Sequence, residues 1–197
     1  MSGILLQYFN ATAITSAESD FVIISSTTIQ HGEYSTHTRA VDILTAKESV
    51  SITESKFYNI TGEGSPGVRI KDAYHIATLS TNNFTDCIAG ATQNAGGLML
   101  RDSQASIKYS TFRGNRATNG AAIYINCETP CYNNSIHNNS FENNVAELVG
   151  ASVYFNDIKP DFQGNSYSGN EATYGATIGF YPTKVGLVQN TNSSRVL

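Results

Sequence analysis

Large apolar side chains recur along the chain in two columns. Ile29, Phe57, Phe84, Phe112, Phe141 and Tyr167 are spaced by 28, 27, 28, 29 and 26 residues, and five residues before them stand Ile24, Ile52, Leu79, Ile107, Ile136 and Phe162. Self-similarity at such a period is the signature of a solenoid, in which each repeat buries its apolar face only against its neighbours. Extending the rule towards the start pairs Ile4 with Phe9. Inside the units apolar and polar residues alternate, as in Val50-Ser51-Ile52-Thr53 and Ile123-Tyr124-Ile125. That period predicts short strands and no helices.

Polar residues keep the same register. Two positions before the anchors are Thr27, Ser55, Asn82, Ser110, Asn139 and Asn165, and three positions after the last three anchors are Asn115, Asn144 and Asn170. Stacked asparagines suit a sharp turn, because their amides bond along the column and satisfy backbone groups the turn leaves unpaired. Cys87 holds the asparagine position of its own coil, so a buried, unpaired thiol is expected there. Gly120-Ala121-Ala122, Gly150-Ala151-Ser152 and Gly175-Ala176-Thr177 each precede a strand, where small residues let the backbone bend tightly. The expected fold is an all-β parallel solenoid of about six to seven coils, stacked about 4.8 Å apart. Residues 1–197 read as a single domain. Residues 1–24 form the weakest repeat, and Leu187-Val188 would open a further coil, so the chain reads as a segment of a longer protein.

Phe112 and Asn115 followed by Gly120 to Ile123, and Phe141 and Asn144 followed by Gly150 to Val153, resemble the repeats of chlamydial polymorphic outer-membrane proteins. Similar repeats occur in other surface proteins with the right-handed parallel β-helix, or pectin-lyase-like, fold. The resemblance runs from Ile24 to Phe180. It implies a right-handed parallel β-helix and an extracellular or cell-surface location. Enzymes of this fold cleave polysaccharides. Arg69-Ile70-Lys71 matches a short polygalacturonase motif, but the paired aspartates and Gly-His-Gly that those enzymes also need do not occur. With no complete catalytic constellation, the expectation is that the protein is not an enzyme.

Composition narrows the partners. Charged residues are 14 % of the chain and the net charge is −4, so no basic stripe gathers phosphates and nucleic acid is not an expected partner. No apolar run approaches the roughly 20 residues of a membrane-spanning helix. Met1 to Phe9 lacks the basic start and the length of a signal peptide, so the signal of a secreted protein would lie outside these residues.

Candidate chemistry falls on a few residues. Cys127 and Cys131 lie in an insertion, Cys127-Glu128-Thr129-Pro130-Cys131, where a disulfide is the first reading and an oxidising compartment its implication. Zinc would need two more ligands, and only His137 is near, so neither metal nor cofactor is expected. Asp72 and Asp102 end strands of adjacent coils. Stacking would hold their carboxylates roughly 5 Å apart, near the spacing of a retaining glycosidase. Lys71 and Arg101 can neutralise them, and aspartate is also an ordinary strand-end residue. Arg69, Met99, Tyr124 and Tyr154 form an outward column, in which the two tyrosines are either a platform for sugar rings or plain cross-strand stacking. Glycosylation sequons occur at Asn10, Asn59, Asn83, Asn133, Asn138 and Asn192. The expected role is structural or adhesive, with glycans and end-to-end self-association through the terminal coils. The alternative is a polysaccharide-binding or polysaccharide-cleaving β-helix that uses Asp72, Asp102, Tyr124 and Tyr154.

Overall fold

A computed structural model describes residues 3–128, 131–156 and 159–181. Every element among the described residues is a strand, and the strands pair in parallel through about six turns. One turn runs through Ala105–Lys108, Thr111–Arg113, Arg116–Asn119 and Ile123–Asn126 before Ser135–His137 begins the next. Each strand lies on its equivalents above and below. Ile107 pairs with Leu79 and Ile136, Phe112 with Phe84 and Phe141, and Ile123 with Leu98 and Val153.

The two predicted columns lie in the core, together with the inward residues of a third face such as Ile70, Leu100 and Ile125. Phe57, Phe84, Phe112, Phe141 and Tyr167 stack ring on ring at 4.9, 4.8, 5.2 and 5.3 Å. The four phenylalanines are wholly buried, and burial of each contributes roughly 1.5–3 kcal/mol. Small residues before the inner strands are required by close backbone approach: a Cβ on Gly97 would lie 2.6 Å from the Ala122 carbonyl oxygen.

Polar ladders hold the corners. Ser26, Glu54, Thr81, Tyr109, Asn138 and Gly164 occupy the same corner in successive turns with φ between 48° and 65°. The residue after each corner points inward, and a relay of hydrogen bonds joins these residues between turns. The Thr27 N–H donates to Ser55 Oγ (3.2 Å), Ser55 N–H to Asn82 Oδ1 (3.0 Å), Asn82 N–H to Ser110 Oγ (3.1 Å), and Ser110 N–H to Asn139 Oδ1 (2.9 Å). Corner N–H groups that no strand can satisfy thus find partners one turn away.

Two details depart from the expectation. Leu6, not Phe9, faces Ile29, while Phe9 pairs with Gly32. The Phe9 ring packs where Gly32 has no side chain, 2.9 Å from the place a Cβ would take, so a shorter first turn still fills its end of the core. Thr12–Ser25 and Arg39–Thr53 are long continuous strands. Later turns divide the same path into two short ones, such as Val68–Lys71 and Ala77–Ser80.

Candidate functional site

The core is closed, so chemistry has to sit on the outside. The outward column of one face places Asp42, Arg69, Met99, Tyr124, Tyr154 and Gly179 side by side on six successive strands. Arg69 donates from Nε and Nη2 to the two Asp42 carboxylate oxygens at 2.7 and 2.6 Å. Asp42 is only 6 % exposed, and such bidentate pairs are strong and directional. Arg69 is therefore committed to its neighbour. Arg39 lies 3.8 Å from the same carboxylate, and burial, followed by the repulsion of Arg69, lowers its pKa.

Tyr124 and Tyr154 are brought together, with ring centroids 5.0 Å apart and planes inclined by 5°. Each ring closes one face of the other, so a ligand lying along this side meets ring edges and hydroxyls. Burial raises both phenols above their ordinary value. Arg101 opposes the shift at Tyr124, and at Tyr154 the neighbouring Tyr124 and Tyr181 add to it.

Asp72 and Asp102 line one hollow of about 400 Å³ with Thr45, Tyr74 and Glu128. Both aspartates sit at strand-end corners with φ of 54° and 47°, a region aspartate tolerates better than most residues. Lys71 Nζ lies 3.5 Å from Asp72, and Arg101 Nε 3.8 Å from Asp102. Asp102 also accepts the Glu128 N–H at 2.8 Å, and Arg101 holds Glu128 at 2.9 Å. The expected cations thus stand beside both carboxylates, and Glu128 joins them as an acid that spacing alone did not single out.

A family model described as a right handed beta helix region matches residues 12–195. The chain belongs to this β-helix family. Comparison with curated proteins and with solved structures found no match.

In this β-helix Cys127 and Cys131 form a disulfide with Cα atoms 5.9 Å apart. The Cys127 N–H donates to Asn156 Oδ1 at 2.8 Å, which ties the cross-linked loop to the next turn. Thr129 and Pro130 lie outside the described residues. Cys87 is a free thiol, wholly buried, with its pKa driven up by that burial, so it packs as a small apolar group.

Asn10, Asn59, Asn83, Asn133 and Asn138 are all exposed. Asn59 and Asn138 occupy left-handed corners, whereas Asn83 lies within a strand, where its Oδ1 accepts the Thr85 hydroxyl at 2.5 Å. Asn192 and Leu187-Val188 lie outside the described residues. Among the described residues no group of three or more His, Cys, Asp or Glu side chains is placed to hold a metal ion, and no helix is long and apolar enough to cross a membrane.

Proposed function

We propose that this β-helix is a structural and adhesive part of an extracellular or cell-surface protein. The observation that carries the reading is the division between a filled, closed core and an outer surface on which the asparagines of all five described sequons are exposed. The disulfide supports an oxidising compartment. The resemblance of Phe112 to Ile123 and of Phe141 to Val153 to chlamydial surface repeats supports the same placement. Self-association through the terminal coils follows from parallel pairing. Thr12–Ser25 pairs with Arg39–Thr53 and with no other described strand; at its end the Ser25 carbonyl accepts the Gly3 N–H at 3.3 Å, and the stretch before Val22 is the template for a further strand. Electron microscopy at high protein concentration is expected to show rods joined end to end; separate monomers only would contradict the assembly.

A second reading is favoured by the paired tyrosines and the acidic hollow beside them. Tyr124 and Tyr154 would contact a polysaccharide through ring edges and hydroxyls, with Asp72 and Asp102 as its hydrogen-bond acceptors or acids. Incubation with a panel of polysaccharides tests it. Cleavage predicts new reducing ends that Asp102→Asn abolishes, binding alone predicts retention without cleavage, and neither result would remove the reading.

A further inference from the structure

On the face that carries the phenylalanine anchors, the outward side chains form two columns. In one, Lys56, Asn83 and Thr111 are in register; in the other, Tyr58, Thr85 and Arg113. Asn83 and Thr85 are short, and Lys56, Tyr58 and Arg113 beside them are longer. The result is a hollow of about 510 Å³ with Asn83 and Thr85 as its floor and Thr28, Lys56, Tyr58 and Arg113 as its rim.

The hollow has a chemical character of its own in a chain of net charge −4. Lys56 and Arg113 stand on turns either side of the floor, about 10 Å apart along the axis given the strand spacing. No carboxylate among the described residues lies within ion-pairing distance of Lys56, and Arg113 meets Glu142 at 3.5 Å through Nε. The floor offers the Asn83 amide nitrogen as a donor; the Thr85 hydroxyl is donated to Asn83 Oδ1 and presents its oxygen as an acceptor. Tyr58 is held from behind: His31 packs edge-on against it at 5.6 Å, is stacked on Tyr8 at 5.2 Å, and is bonded to Asn59 Nδ2 at 2.8 Å. A wall fixed before binding loses less entropy when a ligand arrives.

We propose that this hollow is a binding site for a saccharide that carries a sulfate or carboxylate group. The anion seats over the Asn83 amide nitrogen between the two cations, where charge-assisted hydrogen bonds reach it from both sides. The sugar's apolar edge lies along Tyr58, and its hydroxyls meet Thr28 and Thr85. The site is separate from the Tyr124–Tyr154 side and does not depend on the adhesive reading. A glycan on Asn83 would cover the floor, so the hollow is open only on chains whose Asn83 is unmodified.

The test titrates dextran oligosaccharides, either unmodified, sulfated or carboxymethylated, into protein with Asn83 unmodified, by calorimetry. The charged forms are expected to bind, and the unmodified form to bind at least about tenfold more weakly. Lys56→Ala and Arg113→Ala are each expected to weaken the charged forms about tenfold. Lys108→Ala, an exposed lysine on the neighbouring face, should change them by less than about twofold. All three substitutions are at exposed positions, and circular dichroism confirms that each variant keeps its β signal. Preference between the two charged forms names the group. Equal binding of the unmodified form, equal loss with Lys108→Ala, or no binding of any form would overturn the proposal.

Discussion

Asn144 shows how one side chain holds a corner on two sides at once. Its Oδ1 accepts the Asn115 N–H at 3.1 Å and the Asn115 Nδ2 at 2.9 Å, while its own Nδ2 donates to the Phe112 carbonyl at 3.0 Å and to Asn170 Oδ1 at 2.9 Å. Asn144→Ala leaves the buried Asn115 N–H unpaired and takes one hydrogen bond from the Phe112 carbonyl, and an unpaired buried group costs about 1–3 kcal/mol. The same ladder ends at Cys87, whose Sγ makes long contacts of 3.6 Å with the Phe57 carbonyl and 3.8 Å with the Thr85 carbonyl. Cys87→Asn would extend the ladder by one turn and is expected to raise stability by about 0.5–1.5 kcal/mol. Urea unfolding checks both, and a loss of stability on Cys87→Asn would contradict the account of the ladder. The stacked tyrosines give a pH dependence. Their phenols ionise above their ordinary value in the folded chain but from about pH 10 in the unfolded chain. Their contribution is therefore complete below about pH 10 and is lost as pH rises through the folded values. The Tyr124→Phe, Tyr154→Phe double variant should lose stability less steeply than the parent above about pH 10, as read from unfolding midpoints across that range.

At the scale of elements, the pattern of the chain was legible where a position repeats and opaque where it does not. The anchor column, the Ile24 to Phe162 column and the asparagine ladder recur at fixed offsets, so their stacking could be read directly. The Thr27 to Asn165 positions were equally regular, but their polarity concealed that they point inward; only the hydrogen-bond relay between turns reveals why burial is tolerated there. Phe9 leaves the column that its spacing predicts because the first turn is shorter, and glycine at position 32 makes room for the ring elsewhere. Glu128 and the Arg69–Asp42 pair depend on contacts between turns, which no spacing within one repeat encodes. The loop closed by Cys127 and Cys131 spans a separation of four residues, so the cross-link constrains little of the unfolded chain. Replacing both cysteines with serine should lower stability by about 2 kcal/mol and leave the phenylalanine stack in place, as followed by urea unfolding under non-reducing conditions.

For the whole molecule, the chain stacks like a column of similar plates, and each plate stabilises only its neighbours. Such a body suits a stiff support whose specificity lies on its sides. The compartment in which it works is the claim on which the proposed adhesive role rests. Peptide mapping of protein taken from its native source, before and after glycosidase and with and without reduction, tests that claim most directly. Glycan is expected on one or more of Asn10, Asn59, Asn83, Asn133 and Asn138, with a Cys127–Cys131 cross-link and a free Cys87. Unmodified sequon peptides together with all three cysteines as thiols would contradict it.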